Sequence, residues 1–271
     1  MGEPKVSLIL TTYNCKENFR TTMESILTQD YPIIEIVVKD GGSTDGTLEL
    51  IHEYEASFQT VTQQEVTLQD SNPNSEGLEP DNASIRTFIW KSAPDTGIYD
   101  ALNQGIKLST GDIVAVCNDR FTRPDAISLL VKAIQEKPDS IGAHADLVYA
   151  DGDKIIRRWK MGIGQIRKGW MPGHPTLYLR REVYDKYGLY DTSYRCSADF
   201  EFMVRVLTDH EDRLAYVPET LISMYYGGTS TGSVRSYLRS INESHTALVR
   251  NHVKCAWWII WKRTLKTIRQ F

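Results

Sequence analysis

Residues 34–47, IEIVVKDGGSTDGT, carry a short apolar strand straight into an acidic, glycine-rich turn. Ile36, Val37 and Val38 are apolar at successive positions, so both faces of that strand are meant for burial, the pattern of a parallel sheet covered on two sides. Asp40 then stands at the carboxyl end of the strand, where open α/β sheets bind their ligands. Ser43, Thr44 and Asp45 are suited to cap a helix beginning near Thr47. The turn offers a polar ligand one carboxylate and several backbone amides. That is a nucleotide-binding arrangement without the pattern of a phosphate loop.

Outward from this stretch the chain alternates. Residues 6–12 read as a strand and 16–28 as an amphipathic helix with Phe19, Met23, Ile26 and Leu27 on one face. Helix at 48–54, strand at 87–91, helix at 98–108, strand at 112–117 and helix at 125–136 follow. Such alternation predicts an α/β fold, a mostly parallel sheet flanked by helices. Residues 59–84 are rich in Gln, Asn, Asp, Ser and Pro and are expected to be a solvated, flexible insertion. Beyond 140 the reading is a hairpin, 145–149 with 154–159 around Asp151-Gly152, then a strand at 176–180 and a helix at 198–207. The expected division is one large domain, 1–232, and a helical carboxy-terminal extension, 233–271.

A chain of 271 residues with 41% hydrophobic content can bury one substantial core, and 24% charged residues with a net charge of −4 match an ordinary soluble protein. The charge is unevenly spread. No acidic residue follows Glu243, while Arg250, Lys254, Lys262, Arg263, Lys266 and Arg269 supply six positive charges. Trp257, Trp258, Ile259, Ile260 and Trp261 lie among them, a composition suited to a membrane interface. The four cysteines have no metal or redox spacing. The run VSLIL is too short for a signal peptide, and no stretch reaches the roughly 18–20 apolar residues of a bilayer span. A cytoplasmic location, peripheral at the inner face of the membrane, is expected, with no nucleic-acid partner.

Six segments, in order, resemble the family 2 glycosyltransferases, nucleotide-sugar-dependent enzymes with a GT-A fold. They are VSLILTTYN (6–14), VVKDGGSTDGT (37–47), APDTGIYDALNQGI (93–106), GDIVAVCND (111–119), GWMPGHPTLYLRREVYDKYG (169–188) and YRCSADFEFMVR (194–205). The resemblance implies a Rossmann-like GT-A sheet and inverting transfer of a sugar from a nucleotide diphosphate, with UDP suggested by a pairing of Tyr13 with Asp40. In that reading Thr11, Tyr13 and Asn14 hold the base, Asp40 accepts its imide proton, and Asp95 and Gly97 contact the donor. Asn118 and Asp119 stand for the family's acidic metal motif, here shortened, with Arg120 where a second acid is common. A single Asp119 suffices for Mn2+ or Mg2+ if the diphosphate supplies other ligands, and Arg120 is a second means of neutralising it. Trp170 and His174 match a loop near acceptor and diphosphate. Asp199 matches the general base, with Glu201 behind it.

The implied acceptor is a lipid-linked or oligosaccharide hydroxyl in bacterial surface polysaccharide synthesis, reached at an anionic membrane surface. Two other readings are a sugar nucleotidyltransferase, for which TTYNCKENF lacks the glycine- and Arg/Lys-containing signature, and a nucleotide-sugar-binding protein without catalysis.

Overall fold

The computed structural model describes residues 2–69, 85–208, 210–225 and 234–268, the side chains of 59–69, 234–235 and 266–268 excepted. The deciding strand is β2 (Ile33–Asp40). It lies in parallel between β1 (Val6–Thr12) and β3 (Ile85–Ser92), and β1 pairs in parallel with β4 (Ile113–Val116) on its other side. Successive side chains of a strand point to opposite faces. Accordingly Leu8, Leu10, Ile36 and Val38 enter one core with Phe19, Met23 and Ile26 of α1 (Lys16–Leu27) and Leu130 of α4 (Ala126–Glu136). Ile9 and Val37 enter a second core with Leu102 and Ile106 of α3 (Ile98–Leu108). Both faces are covered, which is why the strands read as apolar throughout.

The sheet continues as a mixed array. Its order is β3-β2-β1-β4-β8-β6-β9-β5, with β7 on β6. These further strands are β5 (Arg120–Phe121), β6 (Gly142–Asp151), β7 (Lys154–Trp159), β8 (Tyr178–Arg180) and β9 (Leu214–Tyr225). The predicted hairpin is β6–β7. The sequence reading missed β9, and its residue Pro218 explains why. Pairing of β6 with β9 shifts register between Ala145↔Val217 and Asp146↔Thr220, so the chain bulges where proline cannot join the ladder.

Two expectations change. α2 runs Thr47–Gln69, well past the helix expected at 48–54 and into the proposed insertion 59–84. Its sequence holds no Gly or Pro to stop it; residues 70–84 lie outside the described residues. The carboxy-terminal extension, α7 (Val234–Arg250) and α8 (Ala256–Ile268), shares the second core. Ala247, Leu248, Val253, Ala256, Ile259 and Ile260 pack there with Phe202 and Val206 of α6 (Ala198–Leu207). α7 also supports α6 directly. The Glu243 carboxylate accepts the backbone N–H groups of Cys196 (2.8 Å) and Ser197 (3.0 Å) just before α6 begins.

Candidate active site

The loops at the carboxyl ends of β1, β2, β3 and β4 meet around Asp40. This residue is fully buried, and its carboxylate accepts five hydrogen bonds. Donors are Thr12 Oγ1 (3.0 Å) from the end of β1, Ser92 Oγ (2.6 Å) from the end of β3, and Gly42 N (2.8 Å), Ser43 N (3.0 Å) and Ser43 Oγ (2.5 Å) from its own turn. Burial alone pushes the carboxyl up, but the hydrogen bonds from Ser43, Ser92 and Gly42 outweigh it and hold the group below the usual range. No oxygen is left for a nucleobase. The imide-accepting role expected of Asp40 is therefore corrected: it braces the loops at the ends of β1, β2 and β3.

Asp95 is the better-placed carboxylate. Its Oδ1 accepts Gly97 N–H (3.0 Å), and its Oδ2 lies 3.4 Å from the Nζ of Lys39. Lys39 is itself buried and donates to the carbonyls of Asp40 and Ala93, both at 2.6 Å, so it fastens β2 to the loop carrying Asp95. Gly41 separates Asp95 from Tyr13. A Cβ there would sit 2.9 Å from Asp95 Oδ2 and 3.2 Å from Tyr13 Cδ2. Tyr13 is 67% exposed, so its ring is open for stacking beside that carboxylate. Gly97, at φ +132, turns the chain into α3.

Three other expected donor contacts prove to be braces. Asn118 Oδ1 accepts Thr11 N–H and its Nδ2 donates to Thr11 Oγ1, both at 2.8 Å, so both ends of the Asn118 amide hold Thr11 at the rim. Asn14, at φ +48, accepts Thr44 N–H (2.8 Å) and donates its own N–H to Ser43 Oγ (2.9 Å). These contacts lock the loop after β1 against the turn after β2.

Asp119 contrasts with Asp40. Burial pushes its carboxyl up to about 6, and its one hydrogen bond from a described residue is Tyr225 N–H at 3.3 Å. Arg120 does not face the site. Its guanidinium turns to Asp153 (3.8 Å) beside the tip of the β6–β7 hairpin, because it lies on the strand β5 that pairs with β9. Its proposed diphosphate role is withdrawn. The hairpin contributes Tyr149 instead, near enough to feel the charges of both Asp119 and Asp199, with Arg157 stacked over its ring at 4.6 Å.

Asp199 occupies the first turn of α6 and accepts Tyr99 O–H at 2.9 Å. Burial, and then the Asp199 charge, push the Tyr99 hydroxyl far up, so it stays a donor. His174 bonds Tyr190 Oη through Nε2 at 2.7 Å; burial pushes its imidazole down, and the Asp199 charge opposes. Arg263 of α8 also lies close enough to feel Asp199. The sequence had marked Asp199 and His174, but Tyr99, Tyr149, Tyr190 and Arg263 come together only through folding. Trp170 is corrected to a core residue: its indole N–H is given to the Met161 carbonyl (3.0 Å). Glu201 is held by Arg205 through two contacts of 2.9 Å and leaves Asp199 alone as the candidate base. Asp100 accepts Thr96 N–H (3.0 Å) and serves as a helix cap.

The family model described as "Glycosyl transferase family 2" matches residues 7–67, the part that holds β1, β2 and the Asp40 turn. The PGL/p-HBAD biosynthesis glycosyltransferase of Mycobacterium bovis (strain BCG / Pasteur 1173P2) is 27% identical over 217 residues, covering 77% of this chain and 72% of that protein. Among solved structures, S. aureus TarS 1–349 in complex with UDP has a TM-score of 0.62 at 15% identity, covering 90% of this chain and 65% of that one. The mannosyltransferase PcManGT from Pyrobaculum calidifontis, in complex with GDP-Man and Mn2+, has a TM-score of 0.61 at 16% identity, covering 97% and 74%. The structures share the GT-A-like fold, and the sequence relatives share the enzyme class. The chain is a glycosyltransferase whose amino-terminal part, 7–67, matches the family 2 model.

Proposed function

We propose that this enzyme transfers a sugar, with inversion, from a uridine diphosphate donor to a hydroxyl of a lipid-linked or oligosaccharide acceptor during synthesis of a bacterial surface glycan. The observation that carries this reading is Asp199, a carboxylate fixed by Tyr99 and close enough to His174 for its charge to act there. Tyr13 stacks on the base while Asp95, beside it, accepts the imide N–H. Asp199 takes the proton of the acceptor hydroxyl as that oxygen bonds to the anomeric carbon. The bond from that carbon to the diphosphate breaks, and its electron pair leaves with the diphosphate. TarS was solved with UDP and PcManGT with GDP-Man, so base choice rests on local residues rather than on the fold.

Among the described residues no three His, Cys, Asp or Glu side chains gather as a metal cage. A single carboxylate with one hydrogen bond still fits a hard cation whose other ligands are phosphate oxygens and water. Asp119 would hold such an ion, Mn2+ or Mg2+; PcManGT was solved in complex with Mn2+. A bound cation there would neutralise the leaving diphosphate.

Membrane association is part of the same proposal. No helix among the described residues is long and apolar enough to cross a membrane. α8 instead exposes Trp257, Trp258 and Trp261, with Lys262 over the Trp258 ring, a peripheral arrangement for the inner face of the cytoplasmic membrane.

Three outcomes are expected. Calorimetric titration should rank UDP above GDP, CDP and dTDP, and Asp199→Asn should keep UDP affinity while lowering turnover on the order of a hundredfold or more. Unchanged turnover in that variant, or no UDP preference, contradicts the proposal. Asp119→Asn should weaken cation-dependent UDP binding yet raise the thermal midpoint of the ligand-free protein. The native carboxyl is raised to about 6 and the unfolded one titrates near ~4. Its ionised form therefore costs stability above about pH 6, a cost that fades as pH falls toward ~4, and the gain should fade with it. A lower midpoint at pH 7.5 would show that the carboxylate has partners beyond Tyr225. Replacing Trp257, Trp258 and Trp261 by Gln should abolish co-sedimentation with anionic liposomes; equal sedimentation of both proteins rules the Trp face out.

A further inference from the structure

α8 turns two different faces outward and inward. Trp257, Trp258 and Trp261 are exposed, while Ile259 and Ile260 are buried in the second core. Arg263 follows those two isoleucines by four and three residues, so the helix carries it to the buried side. There its guanidinium lies 4.0 Å from the ring centroid of Phe200, the residue after Asp199. The backbone that presents it is tightly seated. A Cβ at Gly169, itself at φ +76, would lie 3.0 Å from Lys262 Cβ and 3.6 Å from Arg263 N.

The other inward arginines are satisfied by the protein. Arg205 has the Glu201 carboxylate, Arg180 the carbonyls of Ser140 and Ile134, and Arg181 the Gly111 carbonyl and Ser109 Oγ. Arg263 has no ion pair or hydrogen bond with any described residue; it rests on an aromatic face only. Arg263 is half-buried, and desolvation pulls its pKa down to about 10, with the Asp199 charge opposing. It stays charged at neutral pH with no anion among the described residues to meet. A half-buried guanidinium resting on an aromatic face keeps its N–H donors available to an anion.

We infer that Arg263 binds a phosphate group of the acceptor, held close to the hydroxyl that Asp199 deprotonates. This rests on the reading of Asp199 as the acceptor-side base. Position favours the acceptor over the donor's diphosphate. Arg263 rests on Phe200, the neighbour of Asp199 on α6, whereas Asp119 stands between β4 and β5 and accepts from Tyr225 of β9. Arg263 therefore packs on the element that carries the base, not on those that carry the candidate cation ligand. The chemistry is also consistent, since a guanidinium binds phosphate oxygens through paired N–H donors. A helix that meets headgroups with its Trp face and a phosphate with its Arg face suits an acceptor joined to lipid through phosphate.

The test is equilibrium binding of octyl diphosphate and of inorganic pyrophosphate to the full chain, with saturating UDP and Mn2+ occupying the donor side. The wild type should bind octyl diphosphate. Arg263→Gln should weaken it on the order of tenfold or more, the scale of a lost charge-assisted pair, with UDP affinity unchanged. Arg263→Lys, which keeps the charge, should recover part of the loss and guards against a folding defect in the Gln variant. Tighter binding of octyl diphosphate than of pyrophosphate marks a lipid-linked phosphate; equal binding marks a soluble one, and both support the inference. Equal affinity in wild type and Arg263→Gln overturns it, as does a parallel loss of UDP affinity, which would move Arg263 to the donor side. Release of UDP from UDP-sugars by the wild type is measured separately, so a failure of the proposed transfer reads independently of this result.

Discussion

The arrangement of the site depends on one buried carboxylate. Asp40 ties the end of β1 through Thr12, the end of β3 through Ser92 and its own turn through Gly42 and Ser43. Hydrogen bonds to a charged group contribute roughly 1.5–3 kcal/mol each, and a buried charge without them would be intolerable. The five bonds are therefore obligatory together. They set Gly41 where only a hydrogen fits between Tyr13 and Asp95, and so fix the gap in which a base would stack. Lys39 extends the same constraint to the loop of Asp95.

The four acidic residues at the strand ends and on α6 differ mainly in how fully the protein satisfies them. Asp40 is saturated and structural. Asp95 is steadied by Gly97 N–H and Lys39 and keeps capacity toward Tyr13. Among the described residues Asp119 has a single weak donor, and Asp199 has the Tyr99 hydroxyl. Carboxylates that the fold leaves short of partners are those available to a cation or a substrate proton. That distinction, rather than sequence position, sorts braces from reactive groups, and it moves Asn14, Asn118 and Asp40 to the first class.

The parallel half of the sheet was legible because its strands are apolar on both faces and its helices have clear periodicity; α3 and α6 begin and end where the pattern puts them. β9 was illegible because Pro218 breaks its pattern and its partner strand lies about 70 residues earlier in the chain, a distance that the local rules do not span. Asp199, His174 and Tyr13 could be marked from residue type and motif. Arg120 could not be placed, because one residue of strand phase turns a side chain to the other face, and Trp170 could not because its loop has no periodic pattern to read. Arg263 looked like one tail charge among six, and only the packing of Ile259 and Ile260 distinguishes it.

The most direct measurement of the central constraint is amide hydrogen exchange on Asp40→Asn without nucleotide. Asn keeps the volume but replaces one acceptor oxygen with a donor, against five donors that need acceptors. Protection at residues 42–44 and 93–97 should fall together, with a lower unfolding midpoint, before any ligand is added. Unchanged exchange and stability, with loss of UDP affinity alone, would mean that Asp40 touches the base and that the loops are held by something else.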